Sequence, residues 1–487
     1  MFSFLKKALS NKILWYMATR YLTFALQFVS SLYIAEKLGP YYWGIWSFIL
    51  LWINIGNMLN WGIGNSINIL LVHHKTDSEL CAEYCYNGFI LSCLTMIPAV
   101  LFVVVERVIG IPYFAKYQVG NYIYLVLLIV CIGYLNNFFV NVFRVKNCLF
   151  AVAFSQSAFP VSCFLLMFFA NGKNLLALLT GGYLAAVLVS LILFLCGRYI
   201  DWKQKINMMI MRETFLKGFF LFCYNACFLL IVLSTKTLIS YYYSVEVFGY
   251  FAFAFSLANA AMLLVDSITF VAFPKMIDVL RTGTKDEIWE KIYQLHRFYL
   301  TGISGIIFLM IPCCWVLLYF IPKYAPSFKI FVVILFALGL YSVCFGYNIY
   351  MLAQNEEKKM AMLVSSALLL NIVISYLLAG VFFVPIEYCA FGVMITYLVY
   401  SLAVNSFATV RIGKRIDSHS FLFWIPLHLL IPVLISLVIL FYGNNILLLS
   451  VPPVLFLLIG FKEIVQLVRQ LLNVVHHPEI IDIKTKA

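Results

Sequence analysis

Charge is scarce in this sequence. Asp, Glu, Lys and Arg make up 11% of its 487 residues, and only 20 residues are acidic. A soluble domain carries about a quarter charged residues, and a folded chain always keeps surface that must be covered. The shortage therefore excludes a water-soluble fold. Long hydrophilic stretches are missing too. The longest connections between apolar runs, 198–214 and 273–297, are 17 and 25 residues long, which leaves no room for a soluble domain on either side of a membrane. There is no Walker A loop, so ATP is not bound in that way. The absence of G-x-S-x-G and H-E-x-x-H removes the hydrolases built on those motifs. Metal-ligand sets are wanting as well. Cys81/Cys85 and Cys223/Cys227 have no companion His or Cys for a zinc site. In the doublets His73-His74 and His476-His477 the residues are adjacent and do not share a helix face. No metal, cofactor or catalytic residue is expected, and the 13 cysteines read as small residues facing core or lipid.

What the sequence has is apolar length. Hydrophobic residues make up 64% of it, and its mean hydropathy is +0.99. A transmembrane helix needs about 20 largely apolar residues. Fourteen runs qualify: 13–35, 44–71, 85–105, 121–142, 149–170, 175–197, 215–240, 248–272, 298–320, 328–352, 361–383, 388–410, 421–442 and 446–468. The expected fold is all-α, a polytopic membrane protein with about 14 transmembrane helices. The first run reaches residue 35 without a small-residue cleavage site and reads as a retained span rather than a signal peptide. The net charge of +13 is spread in small groups between the runs, which is a topology signal rather than a nucleic-acid one. With the N-terminus in the cytoplasm, inner segments hold 25 of the 33 basic residues and outer loops six, with Arg20 and Lys236 inside spans. One helix more or fewer in mid-chain would destroy that bias. Both termini are therefore expected in the cytoplasm.

A weak internal repeat suggests two halves. Leu38-Gly39-Pro40-Tyr41-Tyr42-Trp43-Gly44 is similar to Ser244-Val245-Glu246-Val247-Phe248-Gly249, and Gly44 and Gly249 align at an offset of 205 residues. The matched parts lie six helices apart, so the halves would share one orientation and be related by an axis along the membrane normal. The expected organisation is two pseudo-symmetric six-helix bundles, residues 1–198 and 215–411, around a central cavity. A cytoplasmic linker, 199–214, joins them, and two additional helices with a cytoplasmic tail fill 412–487.

Polar groups inside apolar runs are costly and mark candidate sites. Arg20 lies about 10 Å into the first span at 1.5 Å per residue, and it shares a face with Tyr16, Thr23, Gln27 and Ser31. In the second span, Asn54, Asn57, Trp61, Asn65 and Asn68 fall within an arc of about 80° when each residue advances by about 100°. Asparagine both donates and accepts, which suits hydroxyl-rich or phosphate ligands. The competing reading is that such residues join helices. Asn137, Asn141 and Arg144 share a face of the fourth span, where Arg144 is either a ligand or a positive-inside anchor. Lys236 either snorkels to the headgroups or faces inward with Asn225 and Ser240. Asp266, the sole acid within a span, either pairs with Arg20 or titrates during ion coupling. Glu287, Glu290 and Lys291, interleaved with Trp289 and Ile292, suggest an amphipathic helix on the cytoplasmic surface.

These features resemble a family. The first span with Arg20, then Ala35-Glu36-Lys37-Leu38-Gly39-Pro40 and Tyr42-Trp43-Gly44, looks like the opening of the bacterial polysaccharide-transporter proteins, the O-antigen or capsule repeat-unit flippases. Gly249-Tyr250 with Phe273-Pro274-Lys275 is similar to their seventh and eighth spans. Gln354-Asn355-Glu356-Glu357-Lys358-Lys359 with Asn371 resembles their tenth-to-eleventh junction, and Gly392 matches the small residue that follows. The resemblance implies the multidrug/oligosaccharidyl-lipid/polysaccharide (MOP) exporter superfamily and alternating access between two bundles. It implies a cargo, an oligosaccharide on undecaprenyl diphosphate, moved from the cytoplasmic to the periplasmic leaflet of the bacterial inner membrane. It also implies that Arg20 meets the diphosphate, and a flippase would serve polysaccharide polymerase and chain-length proteins. Spans thirteen and fourteen depart from the commoner twelve.

Two other readings stand beside this one. A cation-coupled multidrug exporter of the same superfamily usually carries acids in its cavity. A polytopic polysaccharide polymerase or glycosyltransferase usually needs a sizeable extracytoplasmic loop, whereas the short outer loops here hold Glu106, Glu246 and Glu387.

Overall fold

The structure is a computed structural model that describes residues 12–74, 77–146, 148–169, 173–197, 200–217, 219–281, 284–416, 418–443 and 446–476. Among these, every regular element is a helix. Among the described residues, nine of the fourteen apolar runs are helices long and apolar enough to cross a membrane. The first two runs form kinked or interrupted helices, the fifth and thirteenth form shorter apolar helices, and the fourteenth is bent by 69°. The chain divides into two compact units, Met1–Ala226 with Tyr243–Ala252, and Cys227–Tyr242 with Phe253–Ala487.

The first unit opens with α1, Lys12–Met58, whose two legs meet at Gly39 (φ 70°, ψ 171°) ahead of Pro40. Proline removes a helical N–H and its ring crowds the preceding turn, while glycine adopts the positive φ without a Cβ penalty. The run 44–71 was expected as one helix, but it is interrupted. Trp61 (φ 53°) and Gly62 (φ 73°) are both left-handed, and the helix resumes as α2, Ile63–His73. Tertiary packing sets this break. Asn60 Nδ2 donates to the Tyr134 carbonyl oxygen at 3.4 Å, and a Cβ on Gly62 would lie 2.6 Å from Phe222 Cβ.

The unit continues with α3 (Ser78–Leu94), α4 (Ile97–Ile109), α5 (Ile123–Val145), α6 (Leu149–Leu166) and α7 (Lys173–Cys196). Asp77 caps α3 by accepting from Leu80 N at 3.0 Å. Helix α1 lies against α6, α6 against α7, and α5 against both α2 and α7. Phe138, Phe139, Phe143 and Phe194 form part of an apolar cluster with Ile63 and Ile67. The glycines aligned by the internal repeat meet in this unit. A Cβ on Gly44 would fall 2.2 Å from the Val245 carbonyl oxygen, and one on Gly249 would fall 2.0 Å from that of Pro40. The two backbones touch where only glycine fits.

The second unit takes most of α8 (Phe219–Tyr242) and of α9 (Val245–Arg281). It continues with α10 (Lys285–Phe320), α11 (Ser327–Tyr341), α12 (Tyr347–Ala353), α13 (Glu357–Tyr376), α14 (Ile386–Ile412), α15 (Leu427–Tyr442), α16 (Val451–Ile459) and α17 (Phe461–His476). Helix α11 is apolar all round, buries nearly its whole surface and packs along α14, as expected of a core helix. The segment around Glu287–Ile292, expected as a separate surface helix, is instead the first turns of the 36-residue α10. A capping box between Thr284 and Glu287 starts that helix. Its length, about 54 Å at 1.5 Å per residue, exceeds a bilayer core of roughly 30 Å, so it extends into water. The run 328–352 is broken between α11 and α12, where Gly346 has φ 89°.

Candidate functional site

The polar face of α1 is built by helical spacing, because residues three and four apart are neighbours. Thr19, Arg20, Thr23, Phe24 and Gln27 meet Ala153, Gln156 and Ser157 of α6 around a cavity of about 210 Å³. The two helices are tied there by hydroxyls. Thr23 Oγ1 donates to the Thr19 carbonyl oxygen at 2.8 Å and lies 2.8 Å from Ser157 Oγ. Arg20 is half-buried, and its guanidinium carbon stands 5.3 Å from the centroid of the Phe24 ring, within cation–π range. Among the described residues, no acidic side chain lines this cavity.

A second cavity, of about 420 Å³, shares the side chains of Gln27 and Gln156 with the first. Its further polar lining comes from Asn57 of α1, Asn136 and Asn137 of α5, Ser155 of α6, and Tyr183 and Ser190 of α7. Asn57 sits over Gly133, where a Cβ would lie 2.5 Å from Asn57 Oδ1. Asn136 Nδ2 donates to the Val187 carbonyl oxygen at 3.0 Å. The Oδ1 atoms of Asn57 and Asn136 are buried without a hydrogen-bond partner. Tyr183 stacks on Phe159 with centroids 3.8 Å apart.

The asparagine row expected on one face of the second span is therefore divided. The break at Trp61 changes the helical phase, so one wheel cannot hold all five residues. Asn57 faces the second cavity. Asn68 and Asn141 instead join α2 to α5. Asn68 Nδ2 donates to Asn141 Oδ1 at 3.4 Å, and Asn141 Nδ2 donates to the Asn137 carbonyl oxygen at 2.9 Å. Gly64 makes room for this pairing, since a Cβ there would be 2.7 Å from Asn141 Nδ2. Asn54 is exposed, Asn65 is half-buried, and neither lines a cavity described above. Trp61 is exposed, with ring contacts to Phe215 and Phe222 at 6.5 and 5.9 Å. Arg144 is exposed in the last turn of α5. In the second unit, Lys236 Nζ lies 3.9 Å from the centroid of the Phe255 ring. The side chain of Asp266, with its expected pairing to Arg20, lies outside the described residues.

Sequence reasoning passed over Gln156, Ser155, Asn136 and Tyr183. The triplet Ser155-Gln156-Ser157 is a polar break inside the fifth apolar run and was the available signal. It also gave no structural role to the buried network of the second unit. Asn371 Nδ2 lies 2.7 Å from the Ile231 carbonyl oxygen, 2.8 Å from Thr235 Oγ1 and 3.1 Å from Ser234 Oγ. Its Oδ1 accepts from Thr396 at 3.3 Å. Among the described residues, no group of three or more His, Cys, Asp or Glu is placed to hold a metal.

A family model described as polysaccharide biosynthesis protein matches residues 9–279, more than half of the chain. No curated protein sequence matches it. Several solved structures share the fold. The lipid II flippase MurJ in an inward closed conformation superposes with a TM-score of 0.65 at 12% identity, covering 96% of this chain and 99% of that one. An inward-facing multidrug resistance MATE family transporter of the MOP superfamily gives 0.64 at 11% identity, covering 80% and 94%. A MOP superfamily transporter from Pyrococcus furiosus gives 0.52 at 12% identity, covering 83% and 96%. The chain thus has the all-helical fold of MOP transporters and is a multi-pass membrane protein.

Proposed function

The chain belongs to the polysaccharide biosynthesis protein family, and from that premise we propose that it is a flippase for a lipid-linked oligosaccharide. Its cargo is an O-antigen or capsule repeat unit on undecaprenyl diphosphate, carried from the cytoplasmic to the periplasmic leaflet of the bacterial inner membrane. The observation that carries this reading is the first cavity, where a guanidinium stands among hydroxyls and amides. A diphosphate is a dianionic, multi-oxygen group, and arginine offers it planar paired donors. The attraction is stronger in a site screened from bulk water. The amides beyond it suit sugar hydroxyls, and the isoprenoid tail can remain in lipid. A lipid II flippase with the same fold over 96% of this chain supports a lipid-linked cargo.

Transport of this kind needs no covalent step. It needs two bundles, 1–198 and 215–411, that rock to open the cavity to one side and then to the other. The linker 199–214 and both termini lie in the cytoplasm, as the distribution of basic residues supports. The flipped unit then passes to polymerase and chain-length proteins.

The test is Arg20→Ala in the producing cell. Surface polysaccharide should fall at least about tenfold, the loss expected when one charge-assisted contact is removed, while the protein stays at its normal level. Unchanged display at that level refutes the diphosphate role.

A further inference from the structure

We propose that the second, uncharged cavity of the first unit seats the sugar bonded directly to the carrier diphosphate, and that it selects an uncharged pyranose there over a uronate. The proposal rests on the reading of Arg20 as the diphosphate contact and adds a specificity which that reading does not contain.

Adjacency comes first. The two cavities share Gln27 and Gln156, so a group in one abuts a group in the other. In a glycosyl diphosphate, the group next to the phosphates is the first sugar. Lining chemistry comes second. Among the described residues that line this cavity, none carries a charge, and its polar atoms are amides and hydroxyls from four helices. A carboxylate there would lose its water and gain no cation, whereas hydroxyls find both donors and acceptors. The volume of about 420 Å³ lies within the range of small-molecule sites, roughly 300–1,000 Å³.

The orphan acceptors carry the argument further. Asn136 is only 7% exposed, its amide donates into the wall at Val187, and its Oδ1 is left without a partner. Asn57 Oδ1 is left in the same state over Gly133. A buried acceptor without a donor is costly. Both oxygens are closed off within the wall, and an amide that turned toward the cavity would offer an acceptor, which suits a hydroxyl and repels a carboxylate. The Tyr183 ring, backed by Phe159, adds a flat apolar wall that suits the C–H face of a pyranose.

Binding by purified full-length protein in detergent separates the alternatives. Three synthetic short-chain isoprenyl diphosphates would be titrated calorimetrically: one bare, one bearing N-acetylglucosamine and one bearing glucuronic acid. The hexosamine lipid should bind at least about tenfold more tightly than the uronate lipid, a discrimination typical of hydrogen-bonding sites. Asn57→Ala and Gly133→Ala should each weaken the hexosamine lipid about fivefold and leave the bare lipid within about twofold. Gly133→Ala keeps every polar group and favours the helix, so it reports even if the asparagine variant folds poorly. Equal affinity for hexosamine and uronate lipids overturns the proposal, as do variants that weaken the bare lipid as much as the sugar lipid. Loss of bare-lipid binding in Arg20→Gln tests the diphosphate reading separately. If that variant binds the bare lipid normally, the diphosphate reading fails while the comparison of sugars still stands or falls on its own.

Discussion

Asn371 in one unit and Asn57 and Asn136 in the other make different use of the same side chain. In the second unit, Asn371 is fully buried and its amide reaches Ile231, Ser234, Thr235 and Thr396 on two neighbouring helices. In the first unit, Asn57 and Asn136 border a cavity, and each leaves an oxygen unpartnered. An amide in hydrocarbon must be satisfied somewhere. Where protein groups use its hydrogen-bonding capacity in full, it joins helices. Where capacity is left over in the wall of an open volume, a turn of the amide would offer it to cargo.

The largest expected effect in this contrast is on stability, at the joined end. Asn371→Ala removes the amide that reaches both neighbouring helices and takes away the acceptor of the Thr396 hydroxyl, and should lower the unfolding free energy in detergent by about 1–3 kcal/mol, read as a fall in the thermal midpoint. Asn57→Ala should act in the opposite direction or not at all. It deletes an oxygen that already lacks a partner, so the midpoint should stay within the change of about 0.5 kcal/mol typical of neutral sites, or rise, while transport falls. Equal losses of stability in the two variants would erase the distinction. A smaller effect should come from Thr23→Val, which removes the hydroxyl link between α1 and α6 and should cost about 0.6 kcal/mol, the mean for interhelical hydrogen bonds in a membrane.

The helical class, the membrane setting and the polar face from Arg20 to Gln27 were legible in the sequence, because composition and a period of 3.6 report them directly. The fate of the asparagine row was not. It depends on a break at Trp61-Gly62 that involves no proline and arises where the backbone meets Phe222 and Tyr134. The far wall of the site was legible only in retrospect, as the triplet Ser155-Gln156-Ser157 within an apolar run. Asn371 stood out as a family mark, but its partners come from residues more than 100 and 25 positions away, a distance no local pattern encodes. The Gly44–Gly249 correspondence was read as a repeat, and the structure turns it into a contact.

The most direct experiment is a flipping assay in proteoliposomes. Purified protein would be incorporated with a fluorescent isoprenyl diphosphate glycan, and the rate at which the lipid becomes accessible to an impermeant quencher would be recorded. Wild-type protein should move the lipid between leaflets, and Arg20→Gln, incorporated to the same extent, should do so at least about tenfold more slowly. Equal rates for the two proteins, or no movement by the wild type above empty vesicles, would contradict the assignment of this cavity to a diphosphate-linked cargo.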